Sequence, residues 1–252
     1  MKNRKNPIIA LAPIKYFNMS RNDNFEKIIY YIGLAKKANA DIICFPESCI
    51  HRNKSLSLNS GLIKEIREAC KKNSIWCIIT DDIEIKGKVY NLAILIGRDG
   101  KIKGKYKKMH LYGDEVDPGR YVKVFETDFA KIGIAICWDL AFPKLFKKMK
   151  EKGAEIIFCP SEWCYEEKAH DKDHAKGEVN LLRSLVCVRA FENLCFVAIC
   201  NPLTDESDQV SYSSIVSPHK ILKETIKDEK IMVAELDLKE IKKLDRIYDK
   251  YL

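Results

Sequence analysis

Short apolar runs alternate with stretches of helical periodicity along the chain, a pattern that predicts strands crossed over by helices. Ile8 to Ala12 reads as a buried strand. Phe25, Ile28, Ile29 and Ile32 then recur at helical spacing behind the capping candidates Ser20, Asn22 and Asp23, with Asn39 as a stop before a second strand at Ile42 to Phe45. Leu62, Ile63, Ile66 and Cys70 predict a second helix, and Trp76 to Thr80 a strand. Tyr90 to Ile96 and Ile102 to Tyr106 pair through Asp99-Gly100, the strongest hairpin signal in the chain.

The second half repeats this logic. Ile132 to Ile136 is a predicted strand, and Phe142, Leu145, Phe146 and Met149 share one helix face that ends at Gly153. Ile156 to Cys159 is another strand, Val179 to Asn193 a helix, and Cys195 to Cys200, Tyr212 to Val216 and Ile231 to Leu236 the remaining strands. Parallel crossovers and antiparallel hairpins are both required, so mixed sheets covered by helices are expected. The loop-like stretches Ser20 to Asn24, Tyr112 to Arg120 and Pro202 to Gln209 are short, and no repeat or linker divides the 252 residues. One α/β domain over residues 1–252 is the expectation.

Charge changes this picture little. The formal net charge is +8, but Lys and Glu intermix along helix faces such as Lys144 to Lys152, which reads as solvated surface and not as a nucleic-acid footprint. The ten cysteines sit mostly inside apolar runs, as reduced thiols used as small hydrophobes do. Lys2, Arg4 and Lys5 precede Ile8 to Leu11, but that run is too short for a signal peptide, and no stretch has the length of a membrane span. A soluble, cytoplasmic protein without membrane or nucleic-acid partners is expected.

Reactive groups in α/β sheets gather past the carboxyl ends of strands. Three such ends carry an acid, a base and a thiol: Glu47 after Ile42 to Pro46, Lys108 after Ile102 to Tyr106, and Cys137 closing Ile132 to Ile136. Each has a plain alternative: a core thiol, a turn cap and a solvated lysine. A helix starting near Phe142 and a neighbouring ammonium would lower the Cys137 thiol pKa. A carboxylate at the end of an apolar strand needs a partner.

The segments around these residues resemble those of the nitrilase, or carbon-nitrogen hydrolase, superfamily. Ala40 to Glu47 is similar to the segment ending in the family's catalytic glutamate, and Tyr106-Lys107-Lys108-Met109-His110-Leu111 to the one carrying its lysine. Gly133 to Asp139 with Phe142-Pro143 resembles the nucleophile segment, while Arg189 to Asn193 with Asn201, and Ser214 to Pro218, match later segments in the right order. Pro13 and Pro218-His219-Lys220 depart from the pattern.

The resemblance implies a four-layer α-β-β-α sandwich, a homodimer or larger homo-oligomer, and no metal or organic cofactor. It implies Cys137 as nucleophile, Glu47 as proton carrier and Lys108 as oxyanion partner, with Glu115 as the second acid and Asp114 as its alternative. Tyr112 in the following loop, Trp138 through its backbone N–H, Glu162 and Trp163 are the implied substrate contacts, and Glu162 would suit a substrate amine. The activity implied is hydrolysis of a small linear amide or N-carbamoyl compound, such as the ω-amide of a dicarboxylate. An acyltransferase or a non-catalytic binding protein on the same fold is the alternative. Cys159, Cys164, His170 and His174 imitate a zinc series, but their spacing is too tight for a zinc finger and Cys159 closes an apolar strand.

Overall fold

The computed structural model describes residues 6–15, 23–51, 54–113, 115–204 and 208–248. The first sheet contains β1 (Ile8–Leu11), β2 (Ile42–Cys44), β3 (Leu56–Ser57), β4 (Trp76–Ile85), β5 (Lys88–Ile96), β6 (Ile102–Lys107) and β13 (Met232–Glu235). Its order is β13-β1-β2-β4-β5-β6, with β3 pairing β4 off that path. The second sheet runs β12-β11-β10-β9-β8-β7, from β7 (Val124–Glu126), β8 (Lys131–Ile134), β9 (Ile156–Pro160), β10 (Phe196–Cys200), β11 (Ser213–Ser217) and β12 (Lys220–Thr225). Each has a parallel centre, β1-β2-β4 in one and β8-β9-β10 in the other, flanked by antiparallel pairs.

Strand alternation explains the layering. In the first sheet Ile9, Leu11, Ile42, Cys44, Ile78 and Leu95 join the core shared with the second sheet. Their alternates Ala10, Ile43, Cys77, Ile79, Ile94 and Ile96 pack beneath α1 (Asp23–Lys37) and α2 (Gly61–Asn73). Leu145, Phe146 and Met149 of α3 (Pro143–Glu151) and Leu182, Val186 and Ala190 of α4 (His174–Glu192) cover the other face of the second sheet. The result is the expected four-layer α-β-β-α sandwich. Both faces of each central strand are covered, which is why these strands read as unbroken apolar runs.

Several boundaries differ from the sequence expectation. β4 continues from Thr80 to Ile85 and returns into β5 through Lys86 and Gly87, both at positive φ (55° and 75°). The polar residues Thr80, Asp81, Asp82 and Glu84 hid this half of the strand. The edge strands β7 and β12 and the helix α5 (Leu238–Tyr248) were not anticipated; β12 alternates exposed with half-buried positions and has no apolar run to announce it. Phe142 is not part of the α3 face but its N-cap, stacked on His110 with ring centroids 3.6 Å apart. Gly100 does turn the β5–β6 hairpin, at φ 72°. The capping candidates Ser20 and Asn22 lie outside the described residues.

One buried carboxyl anchors the loop after β2. Asp81 accepts from the Ile50 and His51 N–H groups through Oδ2 at 2.7 and 2.8 Å, and from the Asp82 N–H through Oδ1 at 3.0 Å. Burial pushes its pKa up to about 8 in spite of these donors, which favour the charged form. A folded pKa above the unfolded one means stability present at low pH and lost as pH rises from about 4 through about 8. Urea midpoints measured at pH 5 and pH 8 should therefore fall more for the wild type than for Asp81→Asn. Equal falls in the two proteins would show that Asp81 does not titrate in this window.

Candidate active site

The carboxyl ends of strands from both sheets meet at one seam. Glu47 follows β2, and its N–H donates to the Ser161 carbonyl beyond β9 at 3.2 Å. Its side chain is buried and fully engaged. Oε1 accepts from Lys108 Nζ at 3.0 Å and from Asn91 Nδ2 at 2.8 Å. Oε2 accepts from the Glu162 N–H at 3.0 Å. The ion pair is nearly inaccessible, with Lys108 and Glu47 side chains 2% and 4% exposed. A buried pair holds only if its remaining hydrogen-bond sites are met, and Asn91 and Glu162 meet those of the Glu47 carboxylate.

Lys108 is placed by backbone bonds on both sides. Its N–H donates to the Asn91 carbonyl at 2.9 Å, and its carbonyl accepts from the Gly119 N–H at 2.7 Å. A Cβ at Gly119 would lie 2.2 Å from the Lys107 carbonyl oxygen, so only glycine permits that approach.

Cys137 opens a short 3-10 turn, Cys137–Ala141, directly after the β8 run. Its φ of +47° is strained for a residue with a side chain. Asp139 holds this turn. Oδ2 accepts from the Ile136 N–H at 3.0 Å and from the Tyr106 hydroxyl at 2.7 Å; Oδ1 accepts from the His110 N–H at 3.0 Å and faces its Nδ1 at 2.7 Å. One buried carboxylate thus ties the segment two residues past Lys108 to the turn two residues past Cys137. Arg189 of α4 adds a bond from Nε to the Leu140 carbonyl at 3.0 Å.

The Cys137 thiol donates to the Glu162 carbonyl at 3.6 Å. Glu162 therefore bridges the thiol and Glu47 through its own backbone. Burial pushes the thiol pKa well above its ordinary value, Glu47 adds to the rise and Lys108 opposes it. This reverses the expected lowering. The turn is a single 3-10 turn set apart from the α3 N-terminus, and desolvation outweighs the one ammonium.

Around these groups, Tyr112, Trp138 and Trp163 form a row of rings with centroid separations of 4.8 and 5.3 Å. The Trp138 N–H, two bonds from the nucleophile candidate's carbonyl carbon, donates to no acceptor among the described residues. Trp163 is fixed by its N–H to Asn201 Oδ1 at 2.9 Å and by Nε1 to Glu178 Oε1 at 2.6 Å. Glu162 is half-buried, its Oε1 accepting from Gln209 Nε2 at 3.2 Å. Glu115 is exposed and hydrogen-bonded to none of the described residues, while Asp114 lies outside them. Cys159 is buried within β9 and His170 pairs with Glu178 at 2.8 Å; among the described residues no three His, Cys, Asp or Glu side chains gather as metal ligands.

An acid, an ammonium and a thiol buried together, beside an N–H with no acceptor among the described residues, can carry out acyl transfer. Asn91 and Asp139 were quoted in the sequence only as parts of longer segments. A lone amide in an apolar strand and a carboxylate in a buried turn were the signals for them.

A family model for carbon-nitrogen hydrolases matches residues 8–246. The chain belongs to the carbon-nitrogen hydrolase family. This hydrolase is 29% identical over 236 residues to the 2-oxoglutaramate amidase of Bacillus subtilis (strain 168), covering 87% of this chain and 86% of that protein. It is 31% identical over 242 residues to the probable hydrolase YhcX of the same organism, covering 83% of this chain but only 44% of that longer protein. Its fold matches the crystal structure of Nit3 from Saccharomyces cerevisiae, a nitrilase-superfamily member, with a TM-score of 0.81, 22% identity and coverage of 98% and 96% of the two chains. No helix among the hydrolase's described residues is long and apolar enough to cross a membrane.

Asp139→Asn leaves no arrangement in which all four donors are accepted, because one oxygen becomes an amide N–H₂ facing a buried N–H. The hydrolase variant should lose about 1–3 kcal/mol of stability, the usual cost of an unmet buried polar group. A urea denaturation series checks this, and a change under about 0.5 kcal/mol would show that the turn does not depend on the Asp139 carboxylate.

Proposed function

We propose that this hydrolase cleaves the C–N bond of a small linear amide or N-carbamoyl compound through a thioester on Cys137, with release of ammonia. The observation that carries the reading is the backbone of Glu162, whose N–H donates to Glu47 and whose carbonyl accepts from the Cys137 thiol. The raised thiol pKa supports proton removal coupled to attack, not a standing thiolate.

In this reading Glu47 takes the thiol proton as sulfur bonds to the carbonyl carbon. The oxygen that becomes negative is held by Lys108 and the Trp138 N–H. Glu47 returns the proton to the leaving nitrogen, the C–N bond breaks, and the acyl group remains on sulfur. Water, deprotonated by Glu47, then attacks the thioester, releasing the acid and restoring the thiol. Glu115 is carried as the second acid on resemblance alone. The enzyme acts as one domain and as a homo-oligomer in the cytoplasm; exposed Leu181, Val188 and Phe191 on α4 support a second copy covering that face.

Cys137→Ala should abolish ammonia release, and Glu47→Gln should reduce it by about 10³-fold or more, as loss of one member of a cooperating set does. Intact mass of wild type quenched during turnover should show one acyl adduct absent from Cys137→Ala. Full activity in that variant would refute the mechanism. The Cys137-dependent part of methanethiosulfonate labelling should climb through pH 9 without a plateau, because the resting thiol lies above its ordinary value. A plateau near neutrality would mean a standing thiolate.

A further inference from the structure

The residues around the thiol have a charge character of their own. Glu162 presents a half-buried carboxylate whose backbone is pinned on both sides of its Cα beside Cys137, so its side chain has a fixed origin next to the thiol. Gln209 donates Nε2 to Glu162 Oε1 at 3.2 Å, and Gln209 is itself more than nine-tenths buried. Its carbonyl oxygen, buried and without a hydrogen-bond partner among the described residues, is held beside that carboxylate by the planar amide. An unmet buried acceptor is costly unless a ligand donor supplies the bond.

The ring row adds a second preference. Tyr112 is partly exposed and Trp138 half-buried, with Trp163 buried behind Trp138, and aromatic faces attract cations. The surroundings of those rings carry negative charge: after burial, the Tyr112 hydroxyl is pushed up by Glu166 and Glu178, and the Tyr165 hydroxyl by Glu167, Glu178 and Asp208. Glu178 is paired with His170. Lys108, the cation that acts on Cys137, is already paired with Glu47.

We propose that the substrate end remote from the scissile bond carries an ammonium group, seated against Tyr112 and Trp138 and bound by the Glu162 carboxylate and the Gln209 carbonyl oxygen. This deepens the amide or carbamoyl reading above and rests on it. The ω-amide of a dicarboxylate would place like charge against Glu162 and leave Gln209 unmet, so it is the poorer substrate. Among N-carbamoyl compounds the same rule selects carbamoylated diamines over carbamoylated amino acids.

The test is ammonia release by the intact wild-type enzyme from three amides of one length, 5-aminopentanamide, hexanamide and adipamate, and from N-carbamoyl compounds with the same three termini. The ammonium member should exceed the methyl member in kcat/KM by about tenfold or more, and the carboxylate member should be the slowest, in keeping with one charge-assisted hydrogen bond gained or one like charge opposed. In Glu162→Gln the ammonium-to-methyl ratio should fall about tenfold, a ratio that general damage to the site would leave unchanged. Turnover of the methyl member without preference for the ammonium, preference for the carboxylate, or an unaltered ratio in Glu162→Gln would overturn the inference while leaving amide hydrolysis in place. No ammonia from either series would overturn the hydrolytic reading and this inference together.

Discussion

An ion pair sealed at the join of two sheets sets the conditions for everything around it. Removing Glu47 and Lys108 from water costs more than their attraction returns unless every remaining lone pair and proton finds a partner. The local structure answers that demand. Asn91 sits in a strand that is otherwise apolar from Leu92 to Ile96 because its amide serves Glu47 and its carbonyl serves the Lys108 N–H. Glu162 contributes an N–H from the opposite sheet, so satisfying the pair also fixes how the sheets meet.

The thiol is held by a different device. A residue at φ +47° does not stay there without restraint, and the Asp139 carboxylate supplies it with four contacts from three segments. Burial raises the thiol pKa beside Glu47, which favours the protonated form. The strain and the desolvation lie in one turn, and the bonds that sustain them come from β6, the loop after it and α4.

Much of this was legible in the residues. β1, β2, β9 and β10 were plain because strands covered on both faces carry no polar alternation, and Glu47 and Cys137 stood out as polar endings to apolar runs, whereas Lys108, after the alternating strand Ile102–Lys107, was singled out by the resemblance. The far half of β4 and the edge strand β12 were not legible, since their polarity reflects hairpin and edge positions that only the assembled sheet defines. The direction of the Cys137 pKa shift was misread because sequence shows a nearby helix start but not the depth of burial. The bridging role of the Glu162 peptide was invisible for a similar reason: its N–H and carbonyl are the same in every residue, and only tertiary placement gives them work. Glu115 illustrates the limit of loop assignments, since spacing along a chain does not say which way a surface side chain turns.

The division of the site between the sheets has a consequence for synthesis. Glu47 and Lys108 leave the ribosome within the first 110 residues, whereas the thiol, its turn and the Glu162 peptide follow, and β13 returns last to pair with β1. Neither portion of the nascent chain holds Glu47 and Cys137 together. The grouping of Glu47, Lys108 and Cys137 is therefore created only in the docking step that buries the intersheet core.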